Sequence, residues 1–290
     1  MNTWYPRVAV VMRSYNDSGV IRRTLEMLKA QTYANYELWN YDSTSIDGTL
    51  EIIREFNIPE RIRLNQSTDY NPGRVLNSAV AETDSEVLVF LNSDATPESE
   101  YWLEKLIAPL QDVAVGATYG RQTARPNCRS LFVKDTERAF GDGRYAAQWL
   151  HFFSMANSAV RRELLEEYPF ETRIQYSEDI DWSYRMRKLG HRIVYVPEAV
   201  ASHSHNYTLR QSYRRHYGEG MSEAWIFRNG ELNMSFWRYC LLPLGREVLR
   251  DISWALVRRS LDAFLHSIPL RCAQKWGRWQ GLKTGRVIYD

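Results

Sequence analysis

Cysteine is scarce. Cys128, Cys240 and Cys272 are odd in number, far apart and without metal-ligand spacing, which points to reduced thiols in the cytosol and not to a disulfide framework. Neither sign of charge dominates, with Lys+Arg 37 against Asp+Glu 35. The overall basic excess usual in nucleic-acid binding is missing, and no nucleic-acid partner is expected. Long hydrophobic runs are absent too. The longest stretch without a charged residue, Tyr145 to Val160, has 16 residues and includes Gln148, His151, Ser154 and Asn157, whereas a bilayer span needs ~20 predominantly apolar ones. Arg13 interrupts the first apolar segment after a few residues, so no signal peptide is expected. GxGxxG and Walker A sequences do not occur, which removes the main support for a dinucleotide or P-loop site. There is no internal repeat and no low-complexity tract.

What is present suits a globular chain of one or two domains: 290 residues, 44% hydrophobic and 25% charged. Val87 to Leu91 is apolar without period-2 alternation, the pattern of a strand buried on both faces of a parallel sheet. It ends in Asn92, Ser93 and Asp94, and ligands of open α/β sheets sit beyond the carboxyl ends of the strands. An acid facing a phosphate there calls for a hard divalent cation, so Asp94 is a candidate metal ligand. The competing reading is a polar turn capping a helix near Glu98. Arg7 to Met12 is a second such strand, followed by the loop RSYND and an amphipathic helix from Ser18 to Ala30. Tyr36 to Tyr41 is a third, ending at Asp42. That acid is placed either to accept hydrogen bonds from a base or ribose or to form an Asx-turn. After a short strand, Arg61 to Leu64, the turn Asn71-Pro72-Gly73 opens a helix with Arg74 in its first turn and Asn77 one turn on. A helix N-terminus beside a guanidinium suits a diphosphate, although a solvated Arg fits equally well.

The succession VAVVMRSYN, DSTSIDGT, NPGRVLNSA and VLVFLNSDA resembles that of family 2 glycosyltransferases, which have the α/β GT-A fold. The resemblance spans Val8 to Tyr217. It implies that the first three segments hold a nucleotide-diphosphate sugar, through Ser14, Tyr15, Asn16, Asp42, Arg74 and Asn77. The fourth carries the metal and ribose motif as Asn92, Ser93 and Asp94, with Asn92 in place of the first acid. Mg²⁺ or Mn²⁺ is the implied cofactor.

Further on, Val113 to Tyr119 reads as a strand. From Gly120 to Tyr145 the periodicity fades, and Arg121, Arg125, Arg129, Lys134, Arg138 and Arg144 read as a solvated surface, a lid or an acceptor-binding loop. Ser177 to Arg185, SEDIDWSYR, sets Glu178, Asp179 and Asp181 in one turn at a helix start. Mutual repulsion raises at least one pKa and favours a poised base, while the helix dipole alone accounts for acids in that position. The resemblance makes Asp179 the base that deprotonates the acceptor hydroxyl. Glu178, Asp181 and Trp182 are then acceptor contacts or supports. Phe152 to Arg162 resembles the strand and turn flanking the family's acceptor site. His191 to Val196 is another strand, and in the VPEAVASHSHNYT that follows, His203 and His205 share strand parity. By resemblance His203 completes the metal site, with His205 the second choice. The wording around these segments resembles bacterial rhamnosyltransferases.

Gln211 to Trp225 reads as a basic, aromatic helix, with Arg214 or Arg215 a candidate to cover the diphosphate. Between Trp237 and Asp290 ten Lys/Arg stand against four Asp/Glu. Such helices pack on the domain, pair in a homodimer or lie peripherally on an anionic membrane. The expectation is thus a catalytic domain over 1–217, with donor half 1–97 and acceptor half 98–217, and a helical extension over 218–290. Its function would be inverting transfer of a sugar, rhamnose for instance, to a glycan or lipid-linked acceptor in surface polysaccharide synthesis, in the cytoplasm or at the inner face of the membrane. The rivals are a non-catalytic sugar-nucleotide or glycan-binding protein, kept open by Asn92, and a sugar nucleotidyltransferase, which would carry a Gly-rich basic loop where RSYND stands.

Overall fold

Val8, Val10 and Met12 turn to one face of the first strand and Ala9 and Val11 to the other, and all five are buried. That strand, β1 (Val8–Ser14), belongs to a computed structural model that describes residues 4–66, 68, 70–143, 152–228 and 235–289. Arg144 and the first part of the charge-free run, 145–151, lie outside the described residues. The chain divides into two compact units. One comprises Met1–Arg125, Arg138–Thr172 and Glu178–His203, the other Pro126–Glu137, Arg173–Ser177 and Ser204–Asp290.

After β1 the chain forms α1 (Ser18–Lys29), β2 (Tyr36–Asp42), α2 (Thr49–Phe56), β3 (Ile62–Leu64), α3 (Pro72–Glu82), β4 (Val87–Asn92), β5 (Thr96–Pro97), α4 (Trp102–Ile107), β6 (Val115–Thr123) and α5 (Ser130–Phe140). There follow β7 (Asn157–Arg161), α6 (Arg162–Glu167), α7 (Glu178–Lys188) and β8 (Arg192–Ser202). Among the described residues the strands make one eight-stranded sheet in the order β3-β2-β1-β4-β7-β6-β8-β5. β1 to β4 are parallel, and β7 is antiparallel to both of its neighbours, β4 and β6. Because β7 reverses direction, its first residue, Asn157, pairs with Leu91 near the end of β4. The start of β7 therefore joins the edge at which β1, β2 and β4 finish.

Both faces of the sheet are covered, as a parallel sheet requires. Ile21, Leu25 and Leu28 of α1 pack with Trp102 and Leu106 on one face, and Val75, Leu76 and Ala79 of α3 pack with Trp182 and Met186 on the other. α3 starts where its turn residues predict. The Asn71 side chain accepts from Arg74 N at 2.9 Å, and Pro72 fills the first turn, where no N–H is needed. Gly73 lies so close to Glu171 that a Cβ there would meet its carbonyl oxygen at 2.2 Å.

Two segments depart from the sequence reading. β8 does not end at Val196 but continues through Pro197 to Ser202. The proline is tolerated because the ladder to β6 skips there, from Gly120↔Val196 to Gln122↔Ala201. The stretch expected to be loop-like after Gly120 instead continues β6 to Thr123 and then forms α5. Lys134 of α5, expected on a solvated surface, is 6% exposed.

The second unit contains most of α5 together with α8 (Leu209–Ile226), a π-helical turn (Trp237–Leu241), α9 (Leu242–Arg258) and α10 (Leu261–Tyr289). A capping box between Thr208 and Gln211 starts α8. Its contact with α10 is a glycine seam. A Cβ on Gly277, Gly281 or Gly285 would meet the carbonyl oxygens of Tyr213, Tyr217 and Met221 at 2.5, 1.9 and 2.6 Å, and one on Gly220 would meet that of Arg278 at 2.1 Å. Both rows step by four residues, one helical turn, so the two backbones touch along several turns.

Elsewhere in this unit Lys134 binds Asp251, which also accepts from Ser267 Oγ at 2.8 Å and Arg271 Nε at 2.7 Å. Arg271 grips Asp135 through both terminal nitrogens, at 2.7 and 2.8 Å. Burial alone would raise the Asp251 carboxyl, but bonds and charges from Arg271 and Lys134 outweigh it and hold the group below the usual range. Among the described residues no helix is long and apolar enough to cross a membrane.

Candidate active site

Asp94 follows β4 and His203 follows β8, and the sheet brings them together: His203 Nε2 lies 3.4 Å from Asp94 Oδ1. His203 Nδ1 is 2.7 Å from Gln122 Oε1. Gln122 is oriented in turn by its own amide nitrogen, which donates to Ser154 Oγ at 2.8 Å. An oxygen facing Nδ1 suits a proton there, and Nε2 is the ring nitrogen turned to the carboxylate. An imidazole oriented by an outer hydrogen bond, beside a carboxylate, is a donor pair suited to a divalent metal. Arg125 closes over the same residue, donating to the Asp94 carbonyl oxygen with its guanidinium 3.9 Å from the carboxylate.

The loop after β1 supports this edge. Asp17 accepts from Ser93 Oγ and from Tyr15 N, the latter at 3.1 Å, and burial raises its pKa. Asn16 takes a left-handed backbone, φ 55°, its Oδ1 accepting from Ile46 N at 3.0 Å. Thr44, φ 57°, is left-handed too, in the loop after β2. Left-handed non-glycine residues store strain and cluster at ligand sites. Tyr15 is 54% exposed. Asp42 is fully buried, accepting from Ser14 Oγ at 2.6 Å and from Ser45 N and Oγ, both at 2.7 Å. The bonds from Ser45 make the turn, one of the two roles open to it.

Arg13 links the metal-ligand candidates to the acids of α7. Its guanidinium donates to Asn92 Oδ1 at 3.2 Å and to Glu178 Oε1 at 3.0 Å. Asn92 thus faces an arginine. The neighbouring Asp179 accepts from Ile180 N at 2.8 Å and from Met155 N at 3.5 Å, and Met155 belongs to the segment leading into β7. Burial first, then the charge of Glu178, pushes the Asp179 carboxyl up to about 7. The share due to Glu178 is the mutual repulsion expected of acids in one turn.

Three other expected residues, Trp182, Asp181 and Asn77, are engaged by the fold itself. Trp182, predicted to touch an acceptor, is fully buried, donating to the Tyr168 carbonyl at 2.9 Å and packed between Phe153 and Phe170. A side chain with no accessible surface meets no acceptor, so Trp182 belongs to the core. Asp181, 4% exposed, pairs with Arg185 at 2.9 Å. Asn77, predicted to face the donor, uses both ends of its amide on the Phe170 backbone, at 2.9 Å each way. Arg74 is exposed in the first turn of α3. His205 lies in the second unit, stacked on Tyr207 at 5.0 Å, and Arg215 there is held by Glu219 and Tyr207 at 3.0 and 2.8 Å. Gln122, Arg13 and Asp17 are the residues sequence reasoning missed. Arg13 left one trace, a charge inside an apolar strand.

Residues 9–169 match the family described as Glycosyl transferase family 2. The chain belongs to that family. This glycosyltransferase is 28% identical to the O-antigen chain rhamnosyltransferase RfbN of Salmonella typhimurium over 285 residues, 93% of this chain and 90% of the relative. It is equally identical to the O-antigen chain rhamnosyltransferase WbaN of Salmonella anatum over 290 residues, with the same coverage. Its fold is GT-A. The mannosyltransferase PcManGT from Pyrobaculum calidifontis, solved in complex with GDP-Man and Mn2+, superposes with a TM-score of 0.67 at 20% identity, covering 98% of this chain and 88% of its own. Glucosyl-3-phosphoglycerate synthase from Mycobacterium tuberculosis gives 0.57 at 19% identity, over 79% and 81%.

The second unit of the glycosyltransferase holds a cavity of about 540 Å³ walled by Tyr176, Tyr213, Tyr217 and Tyr289, with Arg214 and Gln175 also lining it. The Tyr213 and Tyr217 rings are stacked at 6.3 Å. Gly218 lets the Tyr176 ring lie against α8, since a Cβ there would be 2.3 Å from it.

Proposed function

We propose that this glycosyltransferase moves rhamnose, with inversion, from a nucleotide diphosphate to a hydroxyl of a growing glycan. The polysaccharide surface of a bacterium is the proposed destination, and the cytoplasmic side of the membrane the proposed place of work. The observation that carries the chemistry is the Asp179 carboxyl, pushed up to about 7 and tied through Glu178, Arg13 and Asn92 to the strand that ends at Asp94. The two Salmonella rhamnosyltransferases support the choice of sugar.

In the proposed step Asp179 takes the proton of the acceptor hydroxyl as its oxygen bonds to the anomeric carbon. The bond from that carbon to the diphosphate breaks, and the diphosphate leaves with the electron pair. Arg13 balances the charge of Glu178 beside the base. The loop from Ser14 to Asn16, Asp42 and the start of α3 at Arg74 cradle the nucleotide. Asp94 and His203 would hold Mg²⁺ or Mn²⁺, with His205, two residues along the chain, as the third protein ligand. A bound divalent cation would neutralise charge on the departing diphosphate. Tyrosine faces suit the C–H faces of sugar rings, so the acceptor's sugars are assigned to the tyrosine-walled cavity. The loop forming part of its wall, Gln175–Tyr176, runs on through Ser177 into Asp179. Positions 1–97 serve the donor and 98–217 the acceptor in this reading, with 218–290 as the helical extension.

Incubating the protein with a panel of nucleotide-diphosphate sugars, Mn²⁺ and polysaccharide-derived acceptors tests it by nucleoside diphosphate release. Release with a nucleotide-diphosphate rhamnose donor, abolished in Asp179→Asn while donor binding persists, is expected. Full turnover by Asp179→Asn would refute the base.

A further inference from the structure

The first two turns of α10 are amphipathic in the reverse of the usual sense. Leu261, Phe264, Leu265 and Ile268 recur at i, i+3, i+4 and i+7, one stripe of a helix, and are 70, 49, 60 and 59% exposed. The opposite stripe, Ala263, Ser267 and Leu270, is buried. α9 carries an exposed apolar stripe of its own up to the turn, with Leu249 at 69%, Leu256 at 67% and Val257 at 80%. Scattered exposed apolar side chains are ordinary, but stripes at helical spacing on both arms of one hairpin mark an interaction surface.

The charges around it indicate what covers it. From Trp237 to Ser260 the basic residues stand outward, Arg250, Arg258 and Arg259 among them, whereas Asp251 is fully buried and the Glu247 side chain is 14% exposed. Arg250 pairs with Glu247 at 2.8 Å and Arg258 with Glu137 at 3.7 Å, and Asp262, 42% exposed beside Leu261, is met by Arg129 and His266, so the balance around the apolar face stays basic. Arg258 and Arg259 stand at the tip of the α9–α10 turn, between Val257 and Leu261, where Arg259 takes a left-handed φ of 53° that ends α9. Arginines beside an apolar wedge match anionic headgroups over acyl chains. An isologous dimer through this face would bring the arginines of both copies into one interface, where like charges oppose association.

We propose that the α9–α10 hairpin is a membrane-docking element. Leu256, Val257, Leu261, Phe264, Leu265 and Ile268 enter the acyl boundary of an anionic leaflet, and the arginines bind its headgroups. The proposal does not depend on the transfer reaction.

Co-sedimentation of the full chain with vesicles of phosphatidylcholine containing 30% phosphatidylglycerol, against phosphatidylcholine alone, tests it. At low salt at least tenfold more protein is expected on the anionic vesicles, with loss on raising salt, because the headgroup attraction is screened. The quadruple variant Leu261→Gln, Phe264→Gln, Leu265→Gln, Ile268→Gln should lose vesicle binding at least tenfold. Its melting temperature and donor binding should match the wild type, since the four side chains are exposed. Arg258→Glu with Arg259→Glu should lose the preference for anionic vesicles. Wild-type protein remaining in the supernatant with both vesicle types would overturn the proposal. So would vesicle binding unchanged in the quadruple variant, or a wild-type dimer in sedimentation equilibrium that the quadruple variant converts to monomer without any vesicle binding by either.

Discussion

His203 presents Nε2 to Asp94 Oδ1 at 3.4 Å while Gln122 holds its other ring nitrogen at 2.7 Å. Gln122→Leu removes the oxygen that fixes the imidazole tautomer and orientation. Mn²⁺ affinity, measured by calorimetry, should fall about 10–100-fold, the range found when such outer partners are lost. Unchanged affinity would mean that His203 is oriented by something else.

Asp179 makes two pH predictions. As a base it must be ionised, so with its carboxyl at about 7 the transfer rate should climb as pH rises towards 7 and level off above. Its raised pKa also means that the folded state binds a proton the unfolded chain releases near 4, so folding stability from this group falls as pH rises between those values. Asp179→Asn should lose about 10²–10⁴-fold in rate. It should also melt higher than the wild type at pH 8, the gap closing towards pH 4. Equal melting temperatures at pH 8 would contradict the burial argument.

Removing Asp251 leaves Lys134 and Arg271 buried, each short of a counter-charge. Asp251→Ala should cost about 3–5 kcal/mol, the usual penalty for breaking a buried pair. Chemical denaturation followed by circular dichroism measures it, and a loss below about 1 kcal/mol would show the network to be dispensable.

The glycines of the helices should respond in opposite directions. A methyl group added at Gly245 of α9 would have nothing within 4 Å of it, so Gly245→Ala should gain about 0.5–1 kcal/mol from helix propensity. Gly281→Ala would place a carbon 1.9 Å from the Tyr217 carbonyl oxygen and should lose about 1–3 kcal/mol despite the same propensity. Thermal melts of the two variants decide it, and stabilisation of both would refute the close contact.

Much of the candidate site's edge was legible in the sequence because its signals are local. β1 and β4 are continuous apolar runs, and Asp42, Asp94 and the acids of α7 stand at the ends of recognisable elements. What escaped notice depends on partners far along the chain. Gln122 gains meaning from His203, 81 residues on, and Lys134 from Asp251, 117 residues on. Without those partners a lysine in α5 looks solvated, and the helix loses the apolar pattern that would reveal it. Trp182 misled for a related reason. Next to acids it reads as a binding residue, but on α7 it sits on the stripe that packs under the sheet, whereas Asp179 does not.

The seam between α8 and α10 also matters while the chain is being made. α8 leaves the ribosome about fifty residues before the glycines it needs, so its flat carbonyl face stays wet until α10 has followed it. A premature stop near Ser260 would therefore deprive α8 of its mate, and such a fragment should be taken up by chaperones and degraded even with every residue of the sheet in place.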